Sequence, residues 1–188
     1  GLAKIGFLRR PDSIEERQAA AAVGQCELMN MYEARFASFG HKVAQILITR
    51  FTVENEIMRK NAEGTFRVLL EKGCIPIVNE NDSVSYEGLE FGGNDLLAAY
   101  VSEIAKADLL INMSDVDGLY DANPRTNPNA KLIARVEKFD DAIMKMAGGA
   151  GTERGTGGMK AKIEAAIIAS NAGIPSMIVN GANPEILY

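Results

Sequence analysis

Apolar residues fall along this chain in two alternating rhythms: compact, β-branched runs of strand length, and longer stretches spaced every three or four residues. After an irregular opening over residues 1–10, Pro11-Asp12-Ser13 predicts a helix start, with Glu15 and Glu16 near its positive end. That helix runs to about residue 39 and is closed by Gly40, with a break expected at Gly24. Residues 42–49 (KVAQILIT) predict a strand, and residues 53–72 a helix closed by Gly73. Residues 74–78 form a second strand, ending in the polar run Asn79-Glu80-Asn81-Asp82. Residues 85–91 alternate weakly about Glu87-Gly88, the pattern of a small hairpin. Asn94-Asp95 then caps a helix to about residue 107, and residues 108–113 make a third, buried strand ending in Ser114-Asp115-Val116-Asp117-Gly118. A turn-rich loop holds Pro124 and Pro128, residues 133–136 are short and peripheral, and residues 140–146 form a short helix. The last helix sets Ile163, Ala166, Ile167 and Ser170 on one face and is closed by Gly173, before a strand over residues 174–179.

Strands alternating with amphipathic helices predict an α/β fold: one domain over residues 1–188, with a mainly parallel central sheet covered by helices on both faces. In such sheets ligands sit beyond the carboxyl ends of the strands. The runs 79–82 and 114–117 fall there, and Gly92 to Asp95 heads a helix. A glycine-rich stretch heads another, so a single shared active site is expected.

That stretch is Gly155-Thr156-Gly157-Gly158-Met159-Lys160-Ala161-Lys162. Glycines let an anion approach the backbone, and a helix start offers unpaired N–H groups and partial positive charge. Lys162, expected in the first turn, adds a point charge. A flexible loop followed by an ordinary solvated lysine fits the same residues. A Walker A loop requires Gly-Lys, which the chain lacks, and Lys160 occupies the last glycine position of the dinucleotide fingerprint. Read as an anion site, the loop is a phosphate cradle of a third type.

Composition narrows the chemistry. The 188 residues carry a net charge of -5 with no tryptophan, basic run or aromatic ladder, which disfavours nucleic acid as a partner. His41 is the sole histidine, excluding a His-based triad or a multi-His metal site. Cys26 and Cys74 lack CxxC spacing and read as buried free thiols of a reducing compartment. With no membrane-length apolar run or signal peptide in view, a cytoplasmic location is expected, with no membrane partner. What remains is amides, carboxylates, helix N-termini and lysine, a set suited to phosphoryl transfer by positioning and charge neutralisation. Asp115 and Asp117 are open to two readings, Mg²⁺ ligation or, for Asp117, shaping the turn at Gly118. Asp95 is either a helix N-cap or a carboxylate that holds phosphate-binding lysines.

Four blocks, matching in order and spacing, carry a resemblance: Ile75-Pro76-Ile77-Val78-Asn79-Glu80-Asn81-Asp82, Phe91-Gly92-Gly93-Asn94-Asp95, Ser114-Asp115-Val116-Asp117-Gly118-Leu119-Tyr120 and Gly155-Thr156-Gly157-Gly158-Met159. With Ala21-Ala22-Val23-Gly24-Gln25, they make the chain resemble the glutamate 5-kinases of the amino acid kinase family along essentially its whole length. The resemblance implies that family's three-layer sandwich and transfer of the ATP γ-phosphoryl group to the side-chain carboxylate of L-glutamate, the first step of proline synthesis. By matching positions, Asn79, Asp82 and Asn94 would hold glutamate, with Asp82 on its ammonium group. Ser114 and Asp115 would contact ATP. Thr156, Gly157, Gly158, Met159, Lys160, Ala161 and Lys162 would line its phosphates, Lys162 would be catalytic and Asp95 would orient it. Mg²⁺ would arrive on ATP oxygens with no protein ligand. Proline as a feedback inhibitor and homo-oligomer formation belong to the same expectation.

The chain departs from the family at Gly93, usually Asp, and Ala161, usually Thr; Ser114 for Thr is mild. The family's first strand, with a lysine and a Gly-Ser-Ser turn, and a Ser-Ser-Gly-Ala turn would precede Gly1. A C-terminal domain resembling an RNA-modification module often follows it. On this comparison the 188 residues alone are expected not to be a self-sufficient enzyme. The alternatives are a sibling kinase of the N-acetylglutamate kinase or aspartokinase type, and a sensor that binds amino acid or nucleotide without turnover.

Overall fold

The structure is a computed structural model that describes residues 2–85, 90–124, 126–148 and 158–188. The predicted hairpin turn at Glu87-Gly88 and Gly149, Gly151, Gly155 and Gly157 lie outside the described residues. The chain forms two compact units, Gly1–Phe91 and Gly92–Tyr188.

In the first unit a short 3-10 turn at Ala3–Ile5 replaces the irregular opening. Helix α1 (Ile14–Ala37) starts where Ser13 accepts a hydrogen bond from the Glu16 amide, with Glu15 and Glu16 in its first turn. It passes through Gly24 unbroken, contrary to expectation, and ends before Gly40, whose positive φ of 76° fits the left-handed exit glycine tolerates. Strand β1 (Lys42–Ile48) pairs in parallel with β2 (Cys74–Glu80). The predicted 53–72 helix is instead two, α2 (Arg50–Glu54) and α3 (Glu56–Glu71). The cause is Asn55, which ends the first and whose side chain accepts from the Met58 amide to cap the second. Ile48, Val53, Phe66 and Phe91 are among its buried apolar residues.

In the second unit α4 (Asn94–Ile104) leads into β3 (Leu110–Ser114), which pairs in parallel with β4 (Ser176–Asn180). The strand expected to be buried is so on one face only: Ile111 and Met113 are exposed and alternate with half-buried Leu110, Asn112 and Ser114. Residues 133–136 form no strand; a single bridge joins Tyr120 to Leu132, and Ile133 and Val136 pack on the core. Helix α5 (Asp141–Gly148) begins where the Asp140 carboxylate accepts from two amides. Helix α6 (Gly158–Asn171) packs on both α4 and α5. It therefore buries more than one stripe, Met159, Ile163 and Ala166 together with Ala165 and Ala169, while Ser170 is exposed. The core around Leu119, Ala147, Met159 and Ile163 sits beneath the loop after β3. Both ladders are parallel and carry their helices on crossovers, as an α/β fold requires. Neither cysteine is buried: Cys26 is exposed on α1, which buries little besides Ala20, and Cys74 is half-buried at the start of β2.

Candidate active site

The centre of the second unit is an ion pair. The Lys162 ammonium donates to both carboxylate oxygens of Asp95 at 3.1 Å, and the two side chains are only 14% and 18% exposed. Enclosing two charges is costly, and removing one partner from such a pair costs about 3–5 kcal/mol through the charge left behind. Lys162 is thus held in place, which rules out the freely solvated lysine. It is the fifth residue of α6, one turn further in than expected. Asp95 is the second residue of α4, and the helix is capped by Gly93, with no side-chain cap bond. The capping role expected of Asn94-Asp95 therefore fails, and Asp95 is free to hold the lysine. Asn112 of β3 completes the cluster, donating its amide to Asp95 Oδ1 at 2.6 Å. An ammonium has three donors. With two directed at Asp95, the described residues take up no third, which leaves one for a ligand.

Other nominated residues divide by what their side chains do. Met159 is buried in the core, leaving only its backbone to a ligand. Lys160 lies on the surface, 3.8 Å from Glu164, and Ala161 is half-buried. Gly158 opens α6 with φ 35°, while Thr156 and Gly157 lie outside the described residues. Asn94 is exposed at the start of α4. Ser114 ends β3 and donates to Asp115 Oδ1 at 3.2 Å. Asp117 shapes the loop: its two oxygens accept from Tyr120 OH at 3.1 Å and Asn180 Nδ2 at 2.9 Å, tying the ends of β3 and β4 together. The same bond raises the Tyr120 phenol above its ordinary value. At Gly118 a Cβ would lie 3.0 Å from Leu132 Cδ1 with φ at 153°, so the turn needs glycine.

The first unit holds Asn79 and Asp82. Asn79 lies inside β2, which runs two residues past the predicted strand end; it donates to Gln25 Oε1 at 3.0 Å, and Gln25 donates to Gln45 Oε1 at 3.1 Å. This relay links β2, α1 and β1. Asp82 follows in a turn and lines a cleft of about 440 Å³ with Arg10, Arg17, Glu90, Ile14 and Ala21. Both signs of charge and apolar walls suit a zwitterionic small molecule. Desolvation, and then the Glu90 carboxylate, push Asp82 above the usual Asp range. Glu80 is raised as well, chiefly by desolvation, despite accepting from the Phe91 amide and Ser85 hydroxyl.

Gln25 and Asn112 were not nominated from sequence. The only signal for Asn112 was an amide in the middle of an apolar strand, Leu110-Ile111-Asn112-Met113.

The profile described as the amino acid kinase family matches residues 2–180. The chain is similar to a glutamate 5-kinase of Clostridium tetani, 52% identical over 187 residues, covering 100% of this chain and 70% of that one. It is 48% identical to a glutamate 5-kinase of Geobacter sulfurreducens and 46% to glutamate 5-kinase 2 of Bacillus subtilis, with 100% of this chain matched each time and 50% and 51% of theirs. Among solved structures it resembles isopentenyl phosphate kinase with a TM-score of 0.57 at 19% identity, over 94% of this chain and 67% of that one. That likeness concerns the fold.

Proposed function

The chain belongs to the amino acid kinase family, and from its likeness to glutamate 5-kinases along its whole length we infer that it transfers the γ-phosphoryl group of ATP to the side-chain carboxylate of L-glutamate, the first step of proline biosynthesis. The observation that carries the chemistry is the enclosed Lys162–Asp95 pair, a cation fixed near a helix start in a chain with no basic run. The substrate choice also explains the missing general base. A glutamate side chain with a pKa near 4.3 is already ionised at neutral pH, so attack needs no deprotonation. The carboxylate oxygen forms a bond to the γ-phosphorus as the bond to the departing ADP oxygen breaks. The barrier lies in bringing two anions together, and the Lys162 ammonium offsets that repulsion.

Asn79, Asp82 and Asn94 are proposed to hold glutamate. The desolvated Asp82 carboxylate is disfavoured in its charged form until a cation arrives, and the substrate ammonium supplies one. Ser114 and Asp115 are proposed to contact the nucleotide, and residues 156–162 its phosphates. Asp117 is occupied by Tyr120 and Asn180, and the described residues hold no cluster of three metal-ligating side chains. Mg²⁺ is proposed on the family resemblance to arrive on triphosphate oxygens, where it would neutralise charge. Proline as a feedback inhibitor, a cytoplasmic location and self-association are proposed on the family resemblance; among the described residues no helix is long and apolar enough to cross a membrane.

The test is an acceptor panel with Mg-ATP on the full natural-length protein, following ADP release. Glutamate is expected to be phosphorylated in preference to N-acetylglutamate, because Asp82 requires a free ammonium, and in preference to aspartate, whose side-chain carboxylate sits one methylene closer to that ammonium. Preference for either rival points to a sibling kinase, and ligand binding without ADP release to a sensor.

A further inference from the structure

We propose that Asn112 is a positioning residue for phosphoryl transfer, which fixes the Asp95 carboxylate and through it the Lys162 ammonium. The inference rests on the reading of Lys162 above. Asparagine is disfavoured in strands, and this one sits between Ile111 and Met113 in β3. Its register partner in β4 is Ile178, which packs into the core of the second unit, so the Asn112 amide lies on the strand face turned toward that core. There it makes a 2.6 Å bond to Asp95 Oδ1, an oxygen that also accepts from Lys162.

Three hydrogen bonds, from donors on two elements, thus converge on one carboxylate. With Lys162 alone, Asp95 could rotate with the long lysine chain, and the third ammonium N–H would have no set direction. The Asn112 bond anchors the carboxylate to the strand and draws charge from the oxygen it shares with the lysine. The ammonium is then positioned without being fully neutralised, and stays available to a phosphoryl oxygen. A hydrogen bond to a charged group is among the stronger ones in proteins.

The experiment uses Asn112→Leu in the full natural-length protein, alone and combined with Lys162→Met. Leucine has the same branched skeleton of side-chain heavy atoms and suits a strand beside apolar neighbours, so the melting temperature is expected to stay within a few degrees. The kcat is expected to fall about tenfold, the low end for one charge-assisted bond, with KM for glutamate and for ATP within about twofold. In the Lys162→Met background the same substitution is expected to cost nothing further, because the two residues act as one unit. An unchanged kcat, or losses that simply add, would overturn the proposal. If the leucine variant folds poorly, Asn112→Asp, equal in shape but without the amide donor, is expected to lose at least as much turnover, and normal turnover there also overturns it. Lys162→Met with normal turnover would instead sink the reading of the site itself.

Discussion

Glu80 illustrates how much a single side chain depends on its surroundings. Its carboxylate accepts from the Ser85 hydroxyl at 3.2 Å and the Phe91 amide at 3.3 Å, yet desolvation wins and raises it above the ordinary 4.5. A carboxylate raised in the folded state binds its proton more readily there than in the unfolded chain. Stability therefore falls as pH rises from the ordinary carboxylate value through the raised one. Glu80→Gln keeps an oxygen to accept both bonds and removes the desolvated charge. It is expected to flatten that fall and leave the protein at least as stable at pH 7, as read from denaturation midpoints between pH 4.5 and 7.5; Asp82, raised too, leaves some slope. A steeper slope would show that the charge is held favourably. At this scale Lys162 was legible as a cation behind a glycine turn. Asp117 was legible only as one of two readings, because the choice depends on Asn180, 63 residues away, and on Tyr120.

Among the elements, helix ends show what local sequence can and cannot specify. Helix α4 closes through Lys106 at φ 53°, with the Ala107 amide bonded to the Ser102 carbonyl at 2.9 Å. A left-handed residue here is usually glycine. Lys106→Gly is expected to stabilise by about 0.5–1 kcal/mol, the relieved strain less glycine's extra unfolded freedom, read as a higher denaturant midpoint at unchanged slope. At the other end Gly93 has φ 129° with no atom of the described residues within 4 Å of a Cβ, so among them the obstacle to the Asp that the resemblance implies is backbone conformation rather than space. The Ser13 cap and the Gly40 and Gly73 exits were readable because capping is local. The break at Asn55 was not, since an Asn within a helical period usually passes as a solvated residue.

For the whole molecule, recognition and transfer are expected to separate by mutation. Asp82→Ala should raise the glutamate KM by about 30-fold or more, the lower bound of a 2–5 kcal/mol loss for an unpaired buried charge, with the ATP KM unchanged. Equal loss of both ligands would give Asp82 a folding role. At a net charge of -5 the protein as a whole repels both reactants, so the work falls to a few local cations. The residues alone determined the α/β class, the order of strands and helices, and the polar runs at strand ends, because periodicity and turn chemistry act over a few residues. Blocks of matching spacing also pointed to the family. Only the tertiary structure decided that Lys162 is enclosed rather than solvated, that Asp95 is its partner rather than a cap, and that Asn112 completes the cluster. These contacts join α4, β3 and α6 across 17 and 67 positions of chain, and packing, not local propensity, brings such distant residues together.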